Sequence, residues 1–143
     1  MHPSPGRMAP RSVAWVLAAV AFVLPHAVHA SPLDRKSEGG GITVTALYLP
    51  DSDGVRFRLA LDTHGGDLLA YDMAAITVLR VNGEAEAAAL EWTDEAKGSH
   101  HRTGVIRFGR RDTGSSGVAT LELVVRGVGG VPDRLFRWDL GRA

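Results

Sequence analysis

The 143-residue chain carries 16 Lys and Arg against 16 Asp and Glu, and it has no cysteine. The balanced charge excludes the basic footprint of a nucleic-acid binder or of a protein held to anionic lipid. No disulfide and no lipid-attachment cysteine are available, so a single hydrophobic core has to hold the fold.

Residues 1–30 read as a secretory signal peptide. Arg7 and Arg11 form its positive start, and Ser12 to Leu24 is a short apolar run broken by Pro25. Ala27-Val28-His29-Ala30 offers small residues for cleavage before Ser31. The run is shorter than the about 20 apolar residues of a comfortable span. The alternative is an uncleaved N-terminal anchor. With the signal removed, 113 residues remain, with 14 basic against 16 acidic residues and a net charge of −2. That length suits one domain. The expected localisation is exported, periplasmic or secreted, with no membrane insertion of the mature chain. Of six histidines, only His64, His100 and His101 stay in the mature part.

Residues 31–41 (SPLDRKSEGGG) are polar and end in three glycines, which reads as a flexible leader. A β-sandwich is expected over 42–143. Ile42 to Tyr48 alternates as a first strand. Asp51 to Gly54 is a turn signal. Val55 to Asp62 is the clearest strand, with Val55, Phe57, Leu59 and Leu61 on one face. Ile76 to Val81 is a third strand, followed by the hairpin signal Asn82-Gly83. Glu84 to Glu91 is rich in alanine and glutamate and could be helical. The period-two placing of Ala88, Leu90 and Trp92 favours a strand over 84–92. Val105 to Phe108 is the fifth strand, with Ile106 and Phe108 inward. Val118 to Val125 is the sixth, with Leu121, Leu123 and Val125 inward and Thr120, Glu122 and Val124 outward. Leu135 to Leu140 is the seventh, with Phe136, Trp138 and Leu140 inward. About seven antiparallel strands separated by turn signals predict an all-β, immunoglobulin or fibronectin-III-like sandwich.

Three motifs in order add a resemblance. They are Leu61-Asp62-Thr63-His64, with Asp67-Leu68 and Tyr71-Asp72 after it; His100-His101-Arg102-Thr103-Gly104-Val105; and Arg126-Gly-Val-Gly-Gly-Val-Pro132 with Phe136 and Trp138. Over most of residues 41–140 the set resembles a family of exported or membrane-anchored bacterial β-sandwich domains. The resemblance implies the fold and assigns no activity. This chain has Gly65-Gly66 where the family has a bulkier pair.

Consecutive strands of a sandwich alternate in direction, so the loops at 63–75, 94–104 and 127–134 fall at one end. His64, His100 and His101 are thereby expected at one pole with Asp62, Asp67 and Asp72. A sharp reading is a copper or zinc site, with His64, His100, His101, Asp62 and Asp67 as candidate ligands. Adjacent histidines on a strand point to opposite faces, so His100 and His101 could share an ion only in an irregular loop. The plainer reading is that these side chains fix the loops. Arg102 and Arg126 are candidate binding residues for a carboxylate, or ordinary cross-strand ion pairs. Gly127 to Gly130 could cradle an anion, or form a tight turn. No serine–histidine–acid order and no close acid pair stands in a catalytic context. The chain therefore reads as a non-enzymatic binding module of the cell envelope. Its partner would be another envelope protein or a small ligand, and the alternative is a periplasmic metal-binding protein.

Overall fold

The computed structural model describes Met1, residues 33–110 and residues 120–141. Residues 2–30 of the expected signal peptide, the start of the sixth expected strand and the last two residues lie outside the described residues. No described helix is long and apolar enough to cross a membrane.

Nine strands are described: β1 (Asp34–Gly39), β2 (Ile42–Leu49), β3 (Val55–Thr63), β4 (Thr77–Val81), β5 (Ala87–Ala88), β6 (Glu91–Lys97), β7 (His101–Phe108), β8 (Thr120–Arg126) and β9 (Asp133–Asp139). They form two antiparallel sheets packed face to face, ordered β1-β2-β3-β7-β6 and β5-β4-β8-β9. Apart from the added β1, this is the immunoglobulin arrangement, in which the second sheet carries one extra short edge strand.

The alternating residues build the core as the period-two reading requires. Val55, Phe57, Leu59 and Leu61 of β3 face Leu121, Leu123 and Val125 of β8, with Ile106 and Phe108 of β7 beside them. Trp138 of β9 closes on Phe57 at 4.8 Å between ring centroids, and Phe108 meets Phe57 edge-on at 6.2 Å. Asn82 and Gly83 both take positive φ, 52° and 75°, and turn the chain out of β4 as an Asn-Gly pair should.

Three expectations need correction. The leader is not a loose spacer throughout: Asp34–Gly39 pairs with β2 over its whole length. Its six residues contain no apolar side chain, so alternation could not reveal it. The tight turn at Gly40-Gly41, with φ of 58° and 73°, folds it back. The segment 84–92 is neither one helix nor one strand. Ala87 and Ala88 pair with Leu79 and Val78 of β4, and the chain then crosses to the other sheet as β6. Leu90 lies in the crossing and is 64% exposed, so it does not share a buried face with Trp92. Leu140 falls just past β9 and is 37% exposed, not inward.

Val124 lies on the face the alternation assigns to it. It does face outward from the second sheet, between Val78 and Leu135, yet it is fully buried. Arg80 and Arg126 lie in the rows on either side of it. Both donate to the same Glu86 oxygen, at 2.7 and 2.6 Å. The two arginines thus flank the Val124 row and meet at one carboxylate. Arg80 also pairs with Glu122 and Arg126 with Asp133. Arg126, and after it Arg80, holds the Glu86 carboxyl below the usual carboxylate range.

Phe57→Ala should destabilise the domain by about 3–5 kcal/mol, lost transfer plus cavity. Leu90→Ala, at the crossing, should change stability by under about 0.5 kcal/mol. Equilibrium urea unfolding measures both, and a small Phe57 effect would contradict the packing described.

Candidate functional site

The histidine-bearing pole is built by four chain turns meeting at one end of the sandwich. β3 runs into it and β7 runs out of it, with Asp62 opposite His101 and Leu61 opposite Arg102. The pairing continues past the strands. The Thr63 amide donates to the His100 carbonyl at 3.0 Å, and the Leu68 amide donates to the Ser99 carbonyl at 2.8 Å. The loop that carries His64 is thus hydrogen-bonded to the hairpin that carries His100 and His101, as loop parity requires. Gly98 makes that hairpin possible, since a Cβ there would lie 2.6 Å from the His101 carbonyl oxygen.

Arg102 holds the pole from beneath. It points into the sandwich and is only 5% exposed. Its Nε and Nη2 donate to the two Asp94 oxygens at 2.7 and 3.2 Å. Its Nη1 donates to the carbonyls of Leu68 and Tyr71 at 3.0 and 2.8 Å. The guanidinium lies 5.4 Å from the centre of the Trp92 ring, a cation–π distance. Trp92 in turn lies against Gly104, where no Cβ would fit, and its Nε1 donates to Asp94 at 2.9 Å. One carboxylate therefore accepts from an arginine and a tryptophan, and one arginine ties two strands to the Leu68–Ala70 turn. Leu68 itself is fully buried and plugs that turn into the core.

The remaining carboxylates of the pole are also engaged. Asp67 accepts from the Leu69 amide at 2.9 Å and Asp72 from the Ala75 amide at 3.2 Å, each fixing the short helical turn that follows it. Asp62 contacts His101 Nδ1 on the open outer face of the sheet, where both side chains are largely exposed. His64 and His100 are exposed as well. Of the five candidate metal ligands, the structure pairs His101 with Asp62 and gives Asp67 another role. Among the described residues no group of three or more His, Asp or Glu is placed to hold a metal ion.

The glycine turn after β8 is a tight turn whose amides have partners inside the protein. The Gly127 amide donates to the carbonyls of Val131 and Pro132, that of Gly130 to Gly127, and that of Val131 to Val128. The Gly129 amide donates to the Tyr71 hydroxyl at 3.0 Å, which ties this turn to the one Arg102 holds. Arg134, 1% exposed, fastens the turn to β1. It donates to Val128, Ser37 and Gly39 carbonyls, the last at 2.6 Å.

Of the two candidate binding arginines, Arg102 is buried and Arg126 is held by Glu86 and Asp133. Both take the ion-pair role. Three organising residues were given no role from the sequence: Asp94, Arg134 and Leu68. A period-two signal existed for two of them. Asp94 stands two residues after Trp92, and Arg134 two before Phe136, so each shares the inward phase of its aromatic neighbour.

The stability that Asp94 contributes depends on pH. Hydrogen bonds from Arg102, ahead of those from Trp92, hold its carboxyl below the usual carboxylate range. A depressed folded pKa contributes stability above the unfolded value of about 3.9, and that contribution is lost as pH falls through the folded pKa. Asp94→Ala should cost about 3–5 kcal/mol at neutral pH by leaving a buried guanidinium without its anion. The difference between parent and variant should shrink as pH falls below about 4. Unfolding followed across pH checks this, and a gap constant into strong acid would contradict it.

No protein-family model, curated protein or solved structure matches the chain, so the chemistry of the pole carries the functional reading.

Proposed function

We propose that the domain is a non-catalytic binding module of the cell envelope that presents the histidine-bearing pole to a partner. One observation carries this reading. Two buried guanidiniums direct donors at main-chain oxygens of the pole turns, while His64, His100, His101 and Leu69 remain exposed on top. Such an arrangement supports a surface that is fixed before binding, which lowers the ordering cost of association. Asp67, Asp72 and Asp94 are engaged by amides or by Arg102, which supports a non-catalytic role. The partner is another envelope protein or a small ligand. The proposal keeps the export inferred from residues 1–30 and places the module in the periplasm or outside the cell.

A copper or zinc site is the second reading, and one contact favours it. Asp62 on His101 Nδ1 is the carboxylate–histidine arrangement that orients a ring with Nε2 outward.

The two readings separate by experiment. A photoreactive residue in place of His64 or His100 should give a discrete adduct in the producing cell, and one in place of Asp53, in the turn at the other end, should not. Adducts from position 53 alone, or from none of the three, would contradict the pole as the binding surface. Zinc or copper that raises the melting temperature of the parent but not of His101→Ala would favour the metal reading.

A further inference from the structure

We propose that β1 is an exchangeable strap, able to leave the β2 edge as a unit and dock on the same edge of a second copy of the chain.

The first support is what β1 lacks. Asp34-Arg35-Lys36-Ser37-Glu38-Gly39 brings no apolar side chain to the core, and none of its residues is buried. Its attachment is mainly polar. It includes the pairing with β2, the Arg134 bonds to the Ser37 carbonyl, the Ser37 hydroxyl and the Gly39 carbonyl, and an Arg35 Nε bond to the Arg137 carbonyl at 2.8 Å, with the Arg35 guanidinium 5.7 Å from the Trp138 ring centre. Just before the strand, the Leu33 carbonyl accepts from Trp138 Nε1 at 2.6 Å, and its side chain is the one apolar group of the segment that packs against the core. Opening therefore uncovers little apolar surface on β1 itself, and the hydrophobic term that locks the other strands is weak here.

The second support is the state of Arg134. Its hydrogen bonds go to neutral oxygens, and burial holds its pKa below the ordinary arginine value. Releasing the strap rehydrates this cation, which offsets part of the lost bonding.

The third is the hinge. Gly39, Gly40 and Gly41 run in sequence, and glycine reaches both the turn conformation and an extended one. A side chain at Gly40 would collide with the Gly129 carbonyl, yet around Gly41 there is open space.

What would occupy the uncovered edge follows from the same contacts. β2 is eight residues long, ITVTALYL, and an open edge of that kind recruits another strand. The donors left waiting are Arg134 and Trp138 Nε1, spaced for the carbonyls of Gly39, Ser37 and Leu33. The segment that matches them is residues 33–39, and a second copy supplies it in the same register.

The chain has no native cysteine, so disulfide trapping is clean. Lys36 and Thr45 are direct neighbours across β1 and β2, on the outer face. Chains carrying Lys36→Cys and chains carrying Thr45→Cys are mixed reduced at high concentration, incubated, then oxidised. Exchange predicts a disulfide between the two chains as the main oxidised product. Ala60→Cys with Thr103→Cys, neighbours across β3 and β7, serves as the interior control and should give little. Oxidising Lys36→Cys/Thr45→Cys within one chain before mixing should abolish dimer formation. Hydrogen exchange on the unaltered chain gives an independent reading: residues 33–41 should exchange ahead of 57–62. Inter-chain yield no higher for the strap pair than for the control overturns the proposal. So does uniform exchange of the two segments, or a dimer that the lock leaves intact.

Discussion

A guanidinium out of water needs nearly all its donors satisfied and its charge balanced, or it destabilises the fold by several kcal/mol. Arg102 meets both conditions at once, and the pole depends on how it does so. Asp94 supplies the balancing charge, and the carbonyls of Leu68 and Tyr71 take the donors that Asp94 leaves. Those carbonyls belong to the loop after β3, so the loop cannot move without stranding the cation. Trp92 is locked into the same unit by its bond to Asp94 and its seat on Gly104. Arg134 repeats the device on the neighbouring turn with no carboxylate among its hydrogen-bond partners, which makes it the less settled of the two.

Much of this fold was legible because most strands have one buried face. Phe57, Leu59, Ile106, Leu121, Leu123, Phe136 and Trp138 were readable from period two and all lie in the core. Loop parity also survived an incorrect strand count. The added β1 precedes the strands that were counted, and the split of 84–92 leaves β6 running into the same pole. What could not be read was structure made by polar contacts. β1 has no alternation to detect, Leu90 lies in the crossing between the sheets, and Val124 is buried although it faces outward. The pole followed the same division. Its location came from parity, whereas the role of Arg102 depends on Asp94, a partner that no spacing rule connects to it.

The outer faces show how a sandwich with few aromatic residues keeps its apolar surface covered. On one sheet, Arg80 and Arg126 meet at the Glu86 carboxylate beside the Val124 row. On the other, Arg58 reaches past β7 to the Glu95 carboxylate with two bonds of 2.8 and 2.9 Å. Charged arches of this kind leave the faces soluble and direct attention to the ends and edges of the sandwich. The histidine pole and the β1 edge lie outside these arches. They meet at Gly40 and Gly129, so the state of the strap bears on the turn beside the histidines.

The central claim is that Arg102 fixes the pole loop. Arg102→Lys keeps the charge but cannot reach Asp94 and two carbonyls together. Residue-resolved hydrogen exchange should show faster exchange at the Leu68 and Thr63 amides in this variant, with the β8–β9 amides unchanged. Unchanged protection at Leu68, or a loosening spread evenly over both sheets, would contradict the account.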